Sequence, residues 1–155
     1  MTELRQLTKL LWPFPQSAIN DNPSGYGSYV AHSVVEQRLL DVLGGVDTAL
    51  VQVLRGDTAD LHDVVVGCVL RMSATIDGRT VHVEEVGDCE SPKNWPHDGA
   101  RMKDAMSDAY KRCAMRLGVG LHLWAGNAFY LAEKFRRQDE EAATDADPET
   151  GEVAA

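Results

Sequence analysis

"LRMSATIDGRTVHVEEVGD", Leu70–Asp88, is the stretch on which the fold turns. Two runs rich in β-branched residues flank Asp77-Gly78. Asp-Gly between alternating apolar residues is a strong hairpin signal, because a tight two-residue turn needs positive φ at both positions. The stretch therefore predicts strand, turn, strand. Upstream, "TALVQVLRG" (48–56) and "HDVVVGCVLRMSATI" (62–76) are also β-rich and partly alternating. Arg55 to Asp60, with its Gly and Asp residues, joins them. Adjacent strands with short connections need no crossover, so the simplest topology is an antiparallel three-stranded meander.

Helical spacing brackets this β region. "MKDAMSDAYKRCAMRLGVG" (102–120) carries most of a helix predicted from Asp98 to Leu117 and the glycines that end it. At 100° per residue, Met102, Met106, Ala109, Tyr110, Cys113 and Leu117 share one face, a core stripe to lay on the sheet. Gly118 suits a left-handed C-cap. The fold class is therefore α+β: a three-stranded meander packed against a long C-terminal helix, a β-β-β-α core, preceded by an N-terminal helix. "TELRQLTKLL" (2–11) reads as a short helix with Thr2 as N-cap, broken by the prolines of "WPFPQ" (12–16). "NDNPSGYG" (20–27) and "CESPKNWPHDG" (89–99) read as loops. A second helix is predicted from Ser28 to Leu43, stopped by Gly44-Gly45, and a last one from Asn127 to Arg137.

The formal net charge of -9 divides unevenly. Residues 138–155 hold seven acidic residues and no basic ones, which leaves 17 acidic against 15 basic in residues 1–137. From Arg101 to Arg137 the sign reverses, with eight cations facing Asp104, Asp108 and Glu133. The expected organisation is a domain over 1–137 and an acidic disordered tail over 138–155.

Composition and motifs narrow the function classes. No apolar run has the length of a membrane span, and no basic-then-apolar leader opens the chain. Cys68, Cys89 and Cys113 fit neither zinc spacing nor a disulfide framework, which favours a reducing cytoplasm. Gly118-Val119-Gly120 lacks the third glycine of a dinucleotide fingerprint and follows a helix where the fingerprint needs a strand. There is no Walker motif, and His32, His62, His82, His97 and His122 are scattered. The expectation is a non-enzyme with no cofactor and no metal.

The cations are the remaining chemistry. Lys111 lies opposite the apolar stripe, Arg101 and Arg112 on its flank, and Arg116 closer to it. A solvated helix face is the ordinary fate of such residues, and last-turn cations also suit the helix dipole. Asp108 is spaced to pair with Arg112 and Lys111. A basic helix near Trp95, Tyr110 and Trp124 equally fits nucleic acid, with phosphates on the cations and bases on the aromatics.

"KDAMSDAYKRCAMRLGVGLHLW" (103–124) resembles the C-terminal helix motif of the Rad-fifty-two-type single-strand annealing proteins. Lys103, Ser107, Asp108, Lys111, Arg112, Leu117 and Gly118 fall on that pattern. "LRMSATIDGRTVHVEEVGD" is similar to the family's hairpin, "YVAHSVVEQRLLDVLGG" (29–45) to its N-terminal helix, and "PFPQSAI" (13–19) to a segment of its phage members. The set covers roughly residues 12–125 in the family's order. The resemblance implies rings or open helical homo-oligomers with single-stranded DNA in a basic groove. It implies annealing in recombination and double-strand break repair without nucleotide hydrolysis, in a bacterial host cytoplasm. Lys111 and Arg112 match backbone-contacting positions, Lys103 another basic position, and Tyr29 a position near the groove. Met115 stands where the family often has a further Arg, with Arg116 next to it, and Asn20-Asp21-Asn22 stands where a basic residue often follows the Ile. Arg71 and Arg79 in the hairpin, as a second groove wall, are the expected compensation. The acidic tail reads either as a solubilising tail or as a segment that competes for the groove or docks a partner such as a single-strand-binding protein or an exonuclease. Two other readings stay open: a strand-protecting or mediator protein of the same fold, and a module whose basic face docks an acidic protein.

Overall fold

Asp77 and Gly78 have φ of 48° and 78°, the left-handed pair that a tight hairpin turn requires. This turn sets the register of the sheet. In the computed structural model, which describes residues 3–146, the elements in chain order are α1 (Gln6–Leu11), β1 (Ile19–Asp21), β2 (Ser28–Val30), α2 (His32–Leu43), β3 (Asp47–Gly56), β4 (Val64–Ile76), β5 (Arg79–Asp88), α3 (Asp98–Arg116), α4 (Leu121–Ala125) and α5 (Leu131–Asp145). The main sheet has the order β3-β4-β5, antiparallel throughout, as the meander requires. Side chains alternate across β4: Cys68, Leu70, Met72, Ala74 and Ile76 are buried, while Arg71 and Thr75 face solvent.

Helix α3 lies over β4 and β5. It starts at Asp98 with His97 as N-cap, whose Nδ1 accepts from the Ala100 amide at 3.2 Å. Its deepest residues are Ala105, Ala109, Cys113 and Ala114, with Leu117 at the end. The expected stripe is therefore rotated slightly. Met102, Met106 and Tyr110 flank the contact half-buried. The reason is close approach: small residues face the sheet where Gly87 of β5 lies directly beneath Ala105 and Ala109. Cys113, one turn further along α3, is also fully buried, and burial pushes its thiol up to about 11. All three cysteines are free and buried.

A second core layer joins Leu10, Phe14, Val30, Val35 and Leu39 to the lower half of β4 and the C-terminal end of α3. Arg38 ties the proline segment down: its guanidinium donates to the Lys9 and Trp12 carbonyls at 3.0 and 2.7 Å and lies 4.5 Å over the Phe14 ring.

Four expectations need correction. The N-terminal helix begins at Gln6, because the Asp77 carboxylate of the hairpin tip accepts from the Gln6 and Leu7 amides at 2.8 and 3.2 Å and caps it from a distance. Thr2, the expected cap, lies outside the described residues. The second helix begins at His32, because Ser28–Val30 pair with Ile19–Asp21 in a small hairpin instead. The last helix begins at Leu131 and runs to Asp145, past the expected end of the domain at residue 137. Asp139 explains the extension: it is buried against α1 and accepts from the Arg5 amide at 3.0 Å, the Thr8 hydroxyl at 2.7 Å and the Arg5 guanidinium. The acidic segment thus contributes to the fold as far as α5 extends. The rest of the predicted tail, 147–155, lies outside the described residues.

Candidate nucleic-acid interface

The helix–glycine–helix passage from α3 to α4 creates a cleft. Gly118 and Gly120 have φ of 108° and 74°, so the chain turns sharply after Leu117. A Cβ added at Gly118 would approach the Leu11 side chain at 3.0 Å, so the turn is packed against α1. The turn aims α4 back beside the exposed side of α3. Opposite stands the β1–β2 hairpin, which the chain order alone did not place there. Between them lies a cavity of about 350 Å³. Tyr26 and Tyr29 line it from the hairpin, Asp108, Lys111 and Arg112 from α3, and Trp124 from α4.

The electrostatics of this cleft are asymmetric. Arg112 Nε donates to Asp108 at 3.0 Å, the expected i,i+4 pair, and its guanidinium lies 5.5 Å from the Trp124 ring centre. Asp108 also accepts from the Asp88 amide at 3.1 Å, so it fixes Arg112 and the end of β5 together. Lys111 makes no ion pair among the described residues. Trp124 is 62% exposed and Tyr26 86% exposed, so two aromatic faces stand open beside a free ammonium and an oriented guanidinium. Such a set can hold a phosphate on the cations and present aromatic faces to bases.

The other predicted residues lie elsewhere. Arg101 is buried and structural, which corrects its assignment to the site: it donates to Pro92 O at 2.8 Å, Trp95 O at 2.9 Å and Asp98 at 3.0 Å, fastening the 89–97 loop to α3. Asp98 in turn accepts from the Val65 amide and Arg55, and these bonds, the Val65 amide first, hold its carboxyl below the usual range. Lys103 borders a different groove with His32 and Thr48. Arg71 is on the outer face of the sheet, paired with Glu84 at 2.6 Å. Arg116 pairs with Glu85 at 3.0 Å and, with Arg79, borders the far edge of β5. The β4–β5 hairpin is therefore not the second wall of the Lys111 cleft; the β1–β2 hairpin is. Tyr26 was missed because "NDNPSGYG" reads only as turn chemistry. Its tyrosine among turn residues was the available signal.

Directly behind the cleft sits His122 of α4. Its Nε2 accepts from the Phe14 amide at 3.4 Å, and its ring lies 5.9 and 6.0 Å from the Phe14 and Phe129 rings. Its Nδ1 is buried with no hydrogen-bond partner among the described residues. Burial, with Arg38 nearby, holds its imidazole below the ordinary value. Among the described residues no three His, Cys, Asp or Glu side chains gather as a metal site, and no helix is long and apolar enough to cross a membrane.

No protein-family model matches this chain, and no curated protein matches it.

Proposed function

We propose that this chain is an oligomeric single-stranded-DNA-binding protein that anneals complementary strands without nucleotide hydrolysis. One observation carries the reading: Lys111 and Arg112, singled out from the sequence, line one cleft with Tyr29 and the exposed Trp124. Annealing needs a grip on phosphates that leaves base edges free to pair. Cations supply a sequence-independent grip, and an aromatic face can support a base without covering its pairing edge. A single cleft offers two cations, so affinity must come from many copies along one strand. The binding set is Lys111, Arg112, Tyr29, Tyr26 and Trp124. Arg101, Arg71, Arg79, Arg116 and Lys103 are outside it. The host cytoplasm and a protein partner for the acidic end remain part of this proposal on the family resemblance alone.

The test is fluorescence anisotropy with a short labelled single strand, at several salt concentrations. Lys111→Ala with Arg112→Ala should abolish binding at moderate salt. At low salt the remaining slope of log K against log salt should shrink by about 1.4 per protomer engaged, at ~0.7 per phosphate contact on single strands. Circular dichroism should be unchanged. A variant that binds like the wild type with the same slope would defeat the site. Complementary oligonucleotides mixed with and without protein then separate annealing from simple coating.

A further inference from the structure

Helix α4 is five residues long, and none of them is buried. It lies between two glycines with positive φ, Gly120 at 74° and Gly126 at 53°. Residues two apart on a helix point to opposite sides. Trp124 and Leu123 line the cleft, while His122 faces away from it, between the Phe14 and Phe129 rings. His122 is therefore the rear attachment of the element that carries the cleft's exposed tryptophan. Both of its ring nitrogens are set for a neutral imidazole. Nε2 accepts from the Phe14 amide at 3.4 Å, so a proton there would turn one donor against another. Nδ1 is buried without a partner, so no acceptor among the described residues would hold the second N–H of an imidazolium. Neither nitrogen pairs with a carboxylate among the described residues. The charge that acts on the ring is a cation, Arg38 of α2, which is held by the Lys9 and Trp12 carbonyls and feels Asp41 in turn. The proline segment and the turn after α4 present an amide and two rings. An imidazolium in this seat is a buried, unpaired charge.

We propose that His122 is the positioning residue of the cleft's aromatic wall: as neutral imidazole it seats α4 with Trp124 on the cleft, and as imidazolium it releases α4 and opens the cleft in mild acid. The glycines at either end let the short helix move without disturbing α3 or α5. Burial and Arg38 both hold the imidazole below its ordinary value, which agrees with a seat that is stable at neutral pH and lost as pH falls. The consequence for binding rests on the proposed single-strand site. Without Trp124 in place, the cleft keeps its cations but loses an aromatic face for a base. Acid release of this kind runs opposite to the ordinary effect of a surface histidine, whose protonation adds a positive charge and tightens phosphate contacts.

The experiment is amide hydrogen exchange on the full chain, free of DNA, at about pH 7.5 and about pH 5.5, either side of an ordinary imidazole. The Phe14 amide reports on the His122 bond directly, and the Leu123 and Gly126 amides, bonded to the Gly120 and His122 carbonyls, report on α4. Their protection factors should fall by about tenfold in the acid, the shift expected when a site closed to the proton releases an imidazole of pKa about 6.5. They should also lie below those of the β4 amides at both pH values. In His122→Gln, whose side-chain oxygen can take the Phe14 bond but gains no proton, protection should not change with pH. Wild-type protection independent of pH, an equal fall in His122→Gln, or protection that matches β4 because α4 opens only with the whole fold, overturns the inference. If circular dichroism shows His122→Gln unfolded, the ring signals of wild-type His122 decide: a ring that takes up its proton while these amides stay protected overturns the inference equally. Anisotropy with the labelled single strand at fixed salt reads the consequence. Wild-type affinity should fall by up to about tenfold between the two pH values, and His122→Gln should lose none. Wild-type binding that tightens in acid overturns the coupling to DNA. A chain that binds no single strand at either pH defeats the proposed function instead, and the exchange result still decides the seat.

Discussion

Replacing Gly87 by alanine tests how α3 is seated on the sheet. A Cβ at Gly87 would lie 2.0 Å from the Ala105 carbonyl oxygen, 2.4 Å from the Ala109 nitrogen and 2.7 Å from the Ala109 Cβ. Two of these are helix backbone, so no rotamer change relieves the clash. To bring the nearest contact to even 3.0 Å, α3 must retreat by about an ångström, and a packed core does not follow such a shift smoothly. Overpacking costs typically 1–3 kcal/mol, and a clash against backbone belongs at the upper end, about 3 kcal/mol. That is on the order of 100-fold in the unfolding equilibrium. At roughly 2–4 °C per kcal/mol for a chain of this size, the melting temperature should drop by about 6–12 °C. Urea unfolding and thermal melts followed by circular dichroism measure it. Gly78→Ala is the internal control. Nothing lies within 4 Å of its Cβ position, and only its φ of 78° opposes a side chain, so it should cost about 1–2 kcal/mol. A Gly87→Ala variant within about 1 kcal/mol of wild type, or one that costs no more than Gly78→Ala, would show that α3 is not held this close to β5.

Arg101→Ala should destabilise the fold by about 2–3 kcal/mol, through the loss of charge-assisted bonds to Pro92, Trp95 and Asp98. Its folded fraction should bind single strands like wild type, a contrast with Lys111 that titration at low temperature reveals. Asp139→Asn should loosen α5 from α1 by about 1–3 kcal/mol, seen as faster amide exchange in residues 131–145. Burial alone would raise the Asp139 pKa, but its bonds from Thr8 and Arg5 outweigh it and lower the folded value. The stability it contributes is therefore present above the ordinary carboxylate range and lost as pH falls through the depressed value; Asp139→Asn should flatten that acid limb. His122 also has a depressed folded value, so the unfolded chain takes up a proton first. Wild-type stability should then fall as pH drops from about 6.5, and His122→Asn should remove most of that dependence; an unchanged pH profile would count against the buried neutral imidazole.

Much of the fold was legible because its signals are local. Asp77-Gly78 needs only its own φ preferences to declare a turn, and helix periodicity from Asp98 needs only its own sequence. What was not legible came from partners elsewhere along the chain. Ser28–Val30 continue helical spacing into α2, yet pair with Ile19–Asp21, because a strand partner returned by the 22–27 turn outweighs weak helix propensity. Residues 138–145 looked like solvated acid until α1 was placed beside them and gave Asp139 its donors. Arg101 looked like one more cation on a basic helix; only the returning 89–97 loop, with two carbonyls aimed at it, shows that it is internal.

The candidate site divides along the same line. That Lys111 and Arg112 sit side by side on adjoining flanks of one helix, and that Asp108 restrains Arg112 one turn away, follows from the residue order alone, because a helix fixes the spacing of its own side chains. What faces them came from packing between elements. Packing brought Tyr26 and Tyr29 in from the β1–β2 hairpin and Trp124 from α4, and it sent Arg71, Arg79 and Arg116 to other surfaces. Chain geometry carries intrahelical positions forward from sequence, whereas a cleft exists only where separately folded elements pack side by side.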